Sequence, residues 1–347
     1  MLKTSTHAEG ATTLRLGRID TYVLLGGGSL LPEYAARLQA DGLRVRVVTS
    51  PRHMQEVVAP GRTLAQWLAA ERIESRVCDD VGDGRAIIDD DVEGALGLSF
   101  GAAWIFHKPL IDRFAGRLLN IHGARFPLDR GGGGFTWQIL RDNRLGACLI
   151  HQVDEGVDTG PIVKYREFVY PASCRIPKDY NEVCLRQTRS FLEEFFREVR
   201  EEATFTRMAQ PAHVSTYWPR LSTEHHGYID WRWDLHDLER FICAFDEPYQ
   251  GASTFLRGRR VFVKDCLVNV NDGPFHPFQQ GLIYRISDDG IFVATEGGGL
   301  VIRTVQDERG ADIRETMCAG DRFHTPIEAL ERARQFRAVY NATGLNT

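Results

Sequence analysis

The sequence predicts an α/β fold: a Rossmann-like, mostly parallel sheet followed by a smaller C-terminal β-barrel domain of OB-like type. Apolar segments typical of buried strands alternate with helical segments over residues 21–154, and this order requires a largely parallel sheet. Beyond residue 250, short strands separated by Gly and Asp turns are typical of a small antiparallel barrel or sandwich, of which we expect the barrel. A chain of 347 residues is long enough for two such domains.

The elements of the first domain follow from hydrophobic periodicity and from their start and stop signals. Strands are predicted over 21–28, 44–50, 94–100, 116–123 and 147–154. Helices are predicted over 32–42, 63–73, 107–114, 135–142 and 178–202. The small and polar residues 1–18 predict a mobile N-terminal extension, so the first domain is expected to span 19–203.

The second region changes in character after a stretch that carries Pro211 and Pro219, and we interpret 204–224 as a linker. Short antiparallel strands are expected within 254–270 and 281–306, in a β-domain over 225–323. A terminal helix over 326–340 lies within the last segment, 324–347.

Composition excludes several classes of protein. The 42 Lys and Arg residues against 47 Asp and Glu residues give a net charge of −5, which provides no global positive field for nucleic acid or an anionic membrane. No run of 18 apolar residues and no secretion signal is present, and the seven cysteines form no CxxC pair. We therefore expect a soluble cytoplasmic protein with reduced thiols and no membrane partner; the charge argues against a nucleic-acid partner but leaves a local basic patch open.

Several motifs are weak. The glycines at 26–28 suggest dinucleotide binding, but Leu31 stands where the fingerprint needs a third glycine, which favours a tight turn. A group of aspartates suggests a cation site, although a solvated acidic loop is more common; these are Asp79, Asp80, Asp83, Asp89, Asp90 and Asp91. The Glu-His-His sequence at 224–226 lacks HExxH spacing, so no metal is assigned.

The strongest pattern lies around the strand 116–123 and the loop after the next strand. Asn120 and His122 are separated by one residue, so both side chains leave the same face at the C-terminal end of the strand. Open α/β sheets bind ligands at that edge. Asp158, in the sequence G-V-D-T-G, can fold back over it. Singly, these residues have structural explanations, as a strand end, a buried histidine and an Asx-turn. Together they suit chemistry on a carbonyl carbon.

These residues also carry a family resemblance. The sequences N-I-H-G at 120–123, Arg130-Gly131 and D-E-G-V-D-T-G-P-I at 154–162 resemble the formyltetrahydrofolate-dependent formyltransferases, including the methionyl-tRNA formyltransferases and the sugar N-formyltransferase branch. The resemblance covers most of 20–320 and implies the formyltransferase fold.

The resemblance implies an N-formyltransferase that uses N10-formyltetrahydrofolate as co-substrate and no metal. Asn120 and His122 would stabilise the oxyanion, and Asp158 would orient the imidazole and help to accept the amine proton. The residues implied to bind the cofactor are Phe100, Gly101, Trp104, Ile105, Asp154, Gly156 and Val157.

The acceptor is expected to be a primary amine on a nucleotide-linked amino sugar. The segment 49–64 lacks the basic insertion of the tRNA enzymes, and Arg130 and Trp137 are the expected substrate residues. The alternatives are methionyl-tRNA as acceptor, or hydrolysis of the cofactor. The glycines at 132–134 are expected either to bind a phosphate or to let the chain pass close to the pterin. The oligomeric state is left open, with a homodimer as one candidate.

Overall fold

The structure is a computed structural model that describes residues 12–81, 92, 94–102, 104–341 and 344–346. The strands of the first part are β1 (Thr12–Arg15), β2 (Thr21–Gly26), β3 (Arg44–Thr49), β4 (Val57–Ala59), β5 (Arg62–Thr63), β6 (Glu74–Val77), β7 (Leu96–Phe100), β8 (Leu118–His122), β9 (Arg130–Gly131), β10 (Leu145–Gln152), β11 (Ile162–Val169), β12 (Thr204–Arg207) and β13 (Tyr217–Trp218). Those of the second part are β14 (Ala252–Leu256), β15 (Arg259–Asn269), β16 (Ile283–Ser287), β17 (Gly290–Thr295), β18 (Gly298–Gln306), β19 (Phe323–His324), β20 (Val339–Asn341) and β21 (Gly344–Asn346). The helices are α1 (Leu30–Ala40), α2 (Pro51–Met54), α3 (Leu64–Ala70), α4 (Lys108–Arg113), α5 (Gly134–Leu140), α6 (Pro177–Arg200), α7 (Thr223–His226), α8 (Leu235–Ala244) and α9 (Ile327–Gln335).

The central sheet has the strand order β11-β10-β8-β7-β2-β3-β6. The five strands from β8 to β6 are parallel, and every residue of β2 is buried, as expected for a central strand with helices on both faces. Strand β10 runs antiparallel to β8, and β11 runs antiparallel to β10. The predicted mostly parallel α/β sheet is confirmed.

The prediction of a mobile extension is wrong for residues 12–18, and the predicted linker starts with a strand. Strand β1 pairs antiparallel with β12, and Leu14 and Leu16 are buried in the core of the sheet. Strand β1 has a single buried residue, Leu14, so it has no periodicity that stands out among polar neighbours, and its partner lies nearly 200 positions away.

The C-terminal strands form a curled antiparallel sheet with the order β16-β17-β18-β15-β14-β19. Its two edges touch, because the N–H of Ile283 donates to the carbonyl of Asp321 and the N–H of Phe323 donates to the carbonyl of Gly281, both at 2.8 Å. The predicted small β-barrel is confirmed in this partly closed form. Helix α9 is shorter than predicted, because Phe336 is extended and stacks on His225 at 3.9 Å.

One hydrophobic cluster is shared by the two parts of the chain. Ile139 and Tyr180, from the first part, lie in the same cluster as Leu238 and Ile242 of α8. Helix α5 packs on α8, where the Thr136 hydroxyl donates to the carbonyl of Ala244 at 3.2 Å. The remaining domain boundaries stay a prediction. Among the helices of the described residues, none is long and apolar enough to cross a membrane.

Candidate active site

Asn120 and His122 lie at the end of β8 with their side chains on one face of the sheet. The strand alternation that places them there turns Ile121, between them, into the hydrophobic core. Strand β7 ends beside β8, with Phe100 paired to Ile121. The two polar side chains therefore lie at the carboxyl edge of the parallel strands, where the sequence predicts them.

His151 orients the amide of Asn120. Nδ1 of His151 lies 2.8 Å from the carbonyl oxygen of Gln152, which can only accept, so Nδ1 carries the proton. Burial lowers the pKa of His151 and keeps the ring neutral, which leaves Nε2 as an acceptor. Nδ2 of Asn120 donates to this Nε2 at 3.1 Å, so one amide proton is engaged and the second remains for a ligand.

His122 and Asp158 form the second polar pair of the site. Nε2 of His122 lies 3.9 Å from Oδ2 of Asp158, within ion-pair range when the ring is protonated but too long for a hydrogen bond. The ring of Phe126 packs on the imidazole at 4.7 Å. Nδ1 of His122 is buried and has no hydrogen-bond partner within the described residues. Catalytic hydrogen bonds are often this long before substrate binds.

The loop between β10 and β11 brings Asp158 back to the end of β8. Because β10 is antiparallel to β8, it ends with Gln152 beside Leu119, and the loop must then return along the sheet edge. Asp154 orders this return by accepting from the N–H of Gly156 at 3.2 Å and from the Thr159 hydroxyl at 2.6 Å. Asp154 and Gly156 therefore shape the loop.

The backbone of the loop is tightly constrained at its far end. A side chain at Gly160 would overlap the carbonyl oxygen of Gln152. Asp158 adopts a left-handed conformation with φ of 58°, and its Oδ2 accepts from the N–H of Gly131 at 3.3 Å. The side chain of Asp158 is only 13% exposed, so its carboxylate is held in one position beside His122.

Arg130 and Trp137, the expected substrate residues, instead anchor the segment 208–221. The guanidinium of Arg130 is buried and donates to Oε1 of Gln210, at 3.1 and 2.7 Å, and to the hydroxyl of Ser215 at 3.0 Å. Nε1 of Trp137 donates to the carbonyl of Pro219 at 2.8 Å. These contacts bond the Arg130 guanidinium and the Trp137 ring nitrogen within the chain, and the substrate role of the two residues stays a prediction.

The glycine-rich loop contacts this same segment. A side chain at Gly131 would overlap the carbonyl of Trp218, and one at Gly132 would overlap the side chain of Arg220. Strand β9 pairs in parallel with β13 at this point. The structure thus gives a third explanation besides phosphate binding and close passage of the pterin: the glycines make room for the segment that leads to the β-domain.

The segment after β7 contributes a partly apolar surface beside the site. Phe100 faces the core against Tyr34, so only its backbone is available to a ligand. Trp104 donates from Nε1 to the carbonyl of Asp79 at 3.0 Å and packs, with Val153 at the start of the Asp158 loop, on one hydrophobic cluster. Gly101 is exposed in a left-handed conformation with φ of 55°.

Two apolar side chains on these segments are open to solvent. Ile105 is 62% exposed next to the buried Phe106, and Val157 is 52% exposed next to the partly buried Asp158. Exposed aliphatic groups beside ordered backbone are suited to a flat, partly apolar ring that hydrogen-bonds to main-chain groups. The residues present therefore fit a pterin.

The glycine turn after β2 is braced by acidic and aromatic groups. Oε2 of Glu56 accepts from the N–H of Gly28 at 3.1 Å, and the ring of His53 lies against Gly27 and leaves no room for a side chain there. Burial, assisted by Arg52 and Arg220, lowers the pKa of His53 to about 4. These contacts support the interpretation of 26–28 as a tight turn.

In the part of the chain that the structure describes, no three His, Cys, Asp or Glu side chains are grouped as metal ligands. Asp79 and Asp80 are described, whereas Asp83 and the aspartates at 89–91 lie outside the described residues. His225 and His226 bond to Ser222 through Nδ1. The absence of a metal stays a prediction.

Comparison with known proteins identifies the class. Residues 100–188 match the family described as formyl transferase, and residues 222–319 match the formyl transferase C-terminal domain. The chain belongs to the formyltransferase family.

Two curated relatives are methionyl-tRNA formyltransferases. The one from Desulfotalea psychrophila is 29% identical over 208 residues, which cover 59% of this chain and 61% of the relative. The one from Acetivibrio thermocellus is 27% identical over 203 residues, covering 58% of this chain and 63% of the relative. The match spans about three fifths of the length of these relatives.

The solved structures with a similar fold include sugar-modifying enzymes. WlaRD, described as a sugar 3N-formyl transferase in the presence of dTDP and 5-N-formyl-THF, has a TM-score of 0.64 and 14% identity, covering 83% of this chain and 98% of its own. An N-formyltransferase from Helicobacter canadensis, in complex with folinic acid and dTDP-3-aminofucose, has a TM-score of 0.62 and 13% identity, covering 82% and 99%. At these identities the likeness shows the fold alone.

Two polar residues at the site are missing from the sequence prediction. His151 shares the sheet face of Asn120 because the two are paired across β10 and β8, but that pairing depends on an antiparallel direction which periodicity does not reveal. Gln210 lies in the predicted linker, where the sequence gives no signal except its position next to Pro211.

Proposed function

We propose that the protein transfers the formyl group of N10-formyltetrahydrofolate to a primary amine of a nucleotide-linked amino sugar. The observation that carries the proposal is the convergence of Asn120, His122 and Asp158 at the carboxyl edge of the sheet. This set offers an amide donor, a titratable ring and a carboxylate within reach of one another, which acyl transfer to an amine requires.

The residues have complementary roles in the proposed reaction. The amine nitrogen forms a bond to the formyl carbon while the bond from that carbon to N10 breaks, and negative charge develops on the formyl oxygen. The free amide proton of Asn120 and a protonated His122 would stabilise that oxygen, at about 2.7–4 kcal/mol for one well-placed donor. Asp158 would hold the imidazolium and accept the proton that the amine loses, and tetrahydrofolate would leave with a proton on N10.

The co-substrate supplies the activated one-carbon group, and the surface around Ile105 and Val157 would hold its pterin ring. Both side chains are exposed next to the ordered backbone at 100–102 and 154–157. This arrangement supports the folate assignment because main-chain groups can pair with the polar edge of the ring while the aliphatic side chains cover its faces.

The acceptor is proposed from charge and from the fold. The segment 49–64 carries only Arg52 and Arg62 as cations, few for a surface that must neutralise several phosphates of a tRNA. Two structures of similar fold are described as sugar formyltransferases or are bound to an amino sugar on dTDP. Arg130 and Trp137 bond to the segment 208–221, so the acceptor is not argued from them. We also propose that the protein works in the cytoplasm.

The test is an acceptor screen with purified full-length protein. N10-formyltetrahydrofolate is supplied with a panel of nucleotide-linked 3- and 4-amino sugars and, separately, with methionyl-tRNA, and products are identified by mass spectrometry. Formylation of a sugar, abolished in Asp158→Asn, is the expected result. Formylation of tRNA alone would overturn the proposed acceptor. Cofactor hydrolysis in the absence of any acceptor would indicate the hydrolase, and no consumption of cofactor would overturn the proposed reaction.

A further inference from the structure

We propose that Gln210 is a positioning residue for Asp158: its side-chain amide, contributed by the segment that leads to the β-domain, fixes the loop that carries the carboxylate. This inference rests on the proposed function for its effect on turnover. Its effect on the loop itself does not depend on any reaction.

The polar contacts of the Gln210 side chain with the described residues point to this role. Nε2 donates to the carbonyl oxygen of Asp158 at 3.1 Å and to that of Gly160 at 2.6 Å. Oε1 accepts from Nε and Nη2 of Arg130, at 3.1 and 2.7 Å. Both ends of one amide are therefore used, one on the Asp158 loop and the other on a buried cation.

Arg130 determines which way the amide points. A guanidinium can only donate, so the atom of Gln210 that faces Arg130 must be the oxygen. The NH2 group is then forced toward the loop, where two carbonyl groups need donors. Arg130 is buried and is held independently by Ser215, so it provides a fixed reference for the amide.

The loop needs such support because its backbone conformation is unfavourable. Asp158 is in the left-handed region, which costs a residue with a side chain about 1 kcal/mol or more. The carboxylate of Asp158 has weak support of its own: a long bond of 3.3 Å from the N–H of Gly131, and distances of 3.9 Å to Nε2 of His122 and 4.0 Å to Nε2 of His151 that exceed hydrogen-bonding range. Nε2 of Gln210 donates hydrogen bonds to the carbonyl groups on both sides of Thr159 and so holds the turn in this conformation.

The geometry also joins the two parts of the chain at the site. Met208, two residues before Gln210, exchanges main-chain hydrogen bonds with Ile162 at 2.8 Å, immediately after the loop. Trp218, eight residues later, pairs with Gly131. The segment 208–218 therefore lies against both the end of the Asp158 loop and the glycine loop. The side-chain amide of Gln210 connects this segment to the backbone of the Asp158 loop.

Three variants test the proposal in the full-length protein. Gln210→Ala removes both halves of the bridge, whereas Gln210→Glu keeps an oxygen for Arg130 and removes the donor to the loop. His213→Ala, an exposed change in the same segment, is the matched control. Hydrogen–deuterium exchange of the peptide covering 153–161 is measured for each, together with kcat and KM for the acceptor and the pH dependence of kcat.

We expect Gln210→Ala and Gln210→Glu to behave alike. Exchange in 153–161 should rise by about tenfold, and kcat should fall by about tenfold or more with KM within about threefold, as expected when roughly 1.4 kcal/mol of positioning is lost. The pH profile of kcat should shift, because the carboxylate is no longer held beside His122. His213→Ala should match the wild type in all of these.

Two outcomes would overturn the proposal. Wild-type exchange in Gln210→Glu would show that only the pairing with Arg130 matters, and unchanged exchange in both Gln210 variants would show that the loop holds itself. Failure of the proposed function gives a different result: the wild type would consume no cofactor, while the exchange measurement would still decide whether Gln210 holds the loop.

Discussion

The amide nitrogen of Asn120 lies 3.1 Å from Nε2 of His151, which in turn is fixed by the bond between its Nδ1 and the carbonyl of Gln152. This chain of donors and acceptors has only one direction, because the carbonyl cannot donate. It sets the plane of the Asn120 amide before any ligand binds, and preorganised donors of this kind stabilise developing charge most effectively.

We predict that His151→Phe will reduce kcat by about tenfold, because the amide of Asn120 loses the acceptor that orients it. Phenylalanine preserves the edge-to-face packing on Phe126, at 5.4 Å between ring centroids, but leaves the carbonyl of Gln152 without this donor, so the free energy of unfolding should fall by about 1–3 kcal/mol. His236→Phe, at an exposed position of α8, is the control and should leave turnover unchanged. Wild-type kcat in His151→Phe would contradict this role.

The charge of Asp158 is tested by Asp158→Asn. Asparagine tolerates the left-handed backbone and keeps an oxygen for the N–H of Gly131, so the fold should be retained while turnover falls by about 100-fold or more. Adding His122→Ala should cost little further, since the two groups act as a unit.

Asp142→Asn makes the same change at an exposed left-handed position, with φ of 48°, and controls for the substitution itself. Stability is followed by thermal unfolding and turnover by loss of the formyl cofactor. Equal rates in Asp158→Asn and Asp142→Asn would remove Asp158 from the proposed site.

Much of the first sheet and part of the site follow from local sequence patterns. The buried strands and their helices have clear periodicity, and α1, α5 and α6 form within a few residues of their predicted bounds. The one-residue spacing of Asn120 and His122 places both on one face wherever a strand forms. Local patterns are sufficient here because each depends on neighbouring residues only.

Contacts between distant segments could not be predicted in this way. The pairing of β1 with β12, the antiparallel direction of β10 and the docking of 208–221 on the glycine loop all join residues far apart in sequence. Arg130 illustrates the consequence: the sequence predicts a substrate residue there, but the guanidinium is buried and bonded to the distant Gln210 and Ser215. A single sequence contains no local signal for such a partner.

The packing role of the glycine loop predicts different effects for two of its glycines. Gly131→Ala should lower the free energy of unfolding by about 1–3 kcal/mol, because φ is 97° and the new methyl group would overlap the carbonyl of Trp218. Gly134→Ala should cost nothing, since no described atom beyond its chain neighbours and the backbone of its own helix lies within 4 Å of the new methyl group.

Thermal unfolding and limited trypsin digestion after Arg220 compare the two variants. The Gly131 variant should unfold earlier and be cut faster, because 208–221 can no longer dock closely. Equal stability of the two would show that the segment does not depend on a close approach to the loop.

The pH dependence of stability should depend on His53. Burial, together with repulsion from Arg52 and Arg220, lowers the pKa of His53 to about 4 in the folded protein, whereas in the unfolded chain it is about 6.5. Between these values the unfolded chain binds a proton that the folded protein does not. The free energy of unfolding should therefore fall as the pH decreases from about 6.5 towards 4. The stability that comes from keeping His53 neutral is fully present above pH 6.5.

His53→Gln, which cannot titrate, should flatten the decline of the thermal midpoint between pH 7.5 and 5, even if packing losses lower its value at pH 7.5. His236→Gln, at an exposed position, should keep the wild-type slope. A His53→Gln profile parallel to that of the wild type would show that His53 does not cause the acid sensitivity.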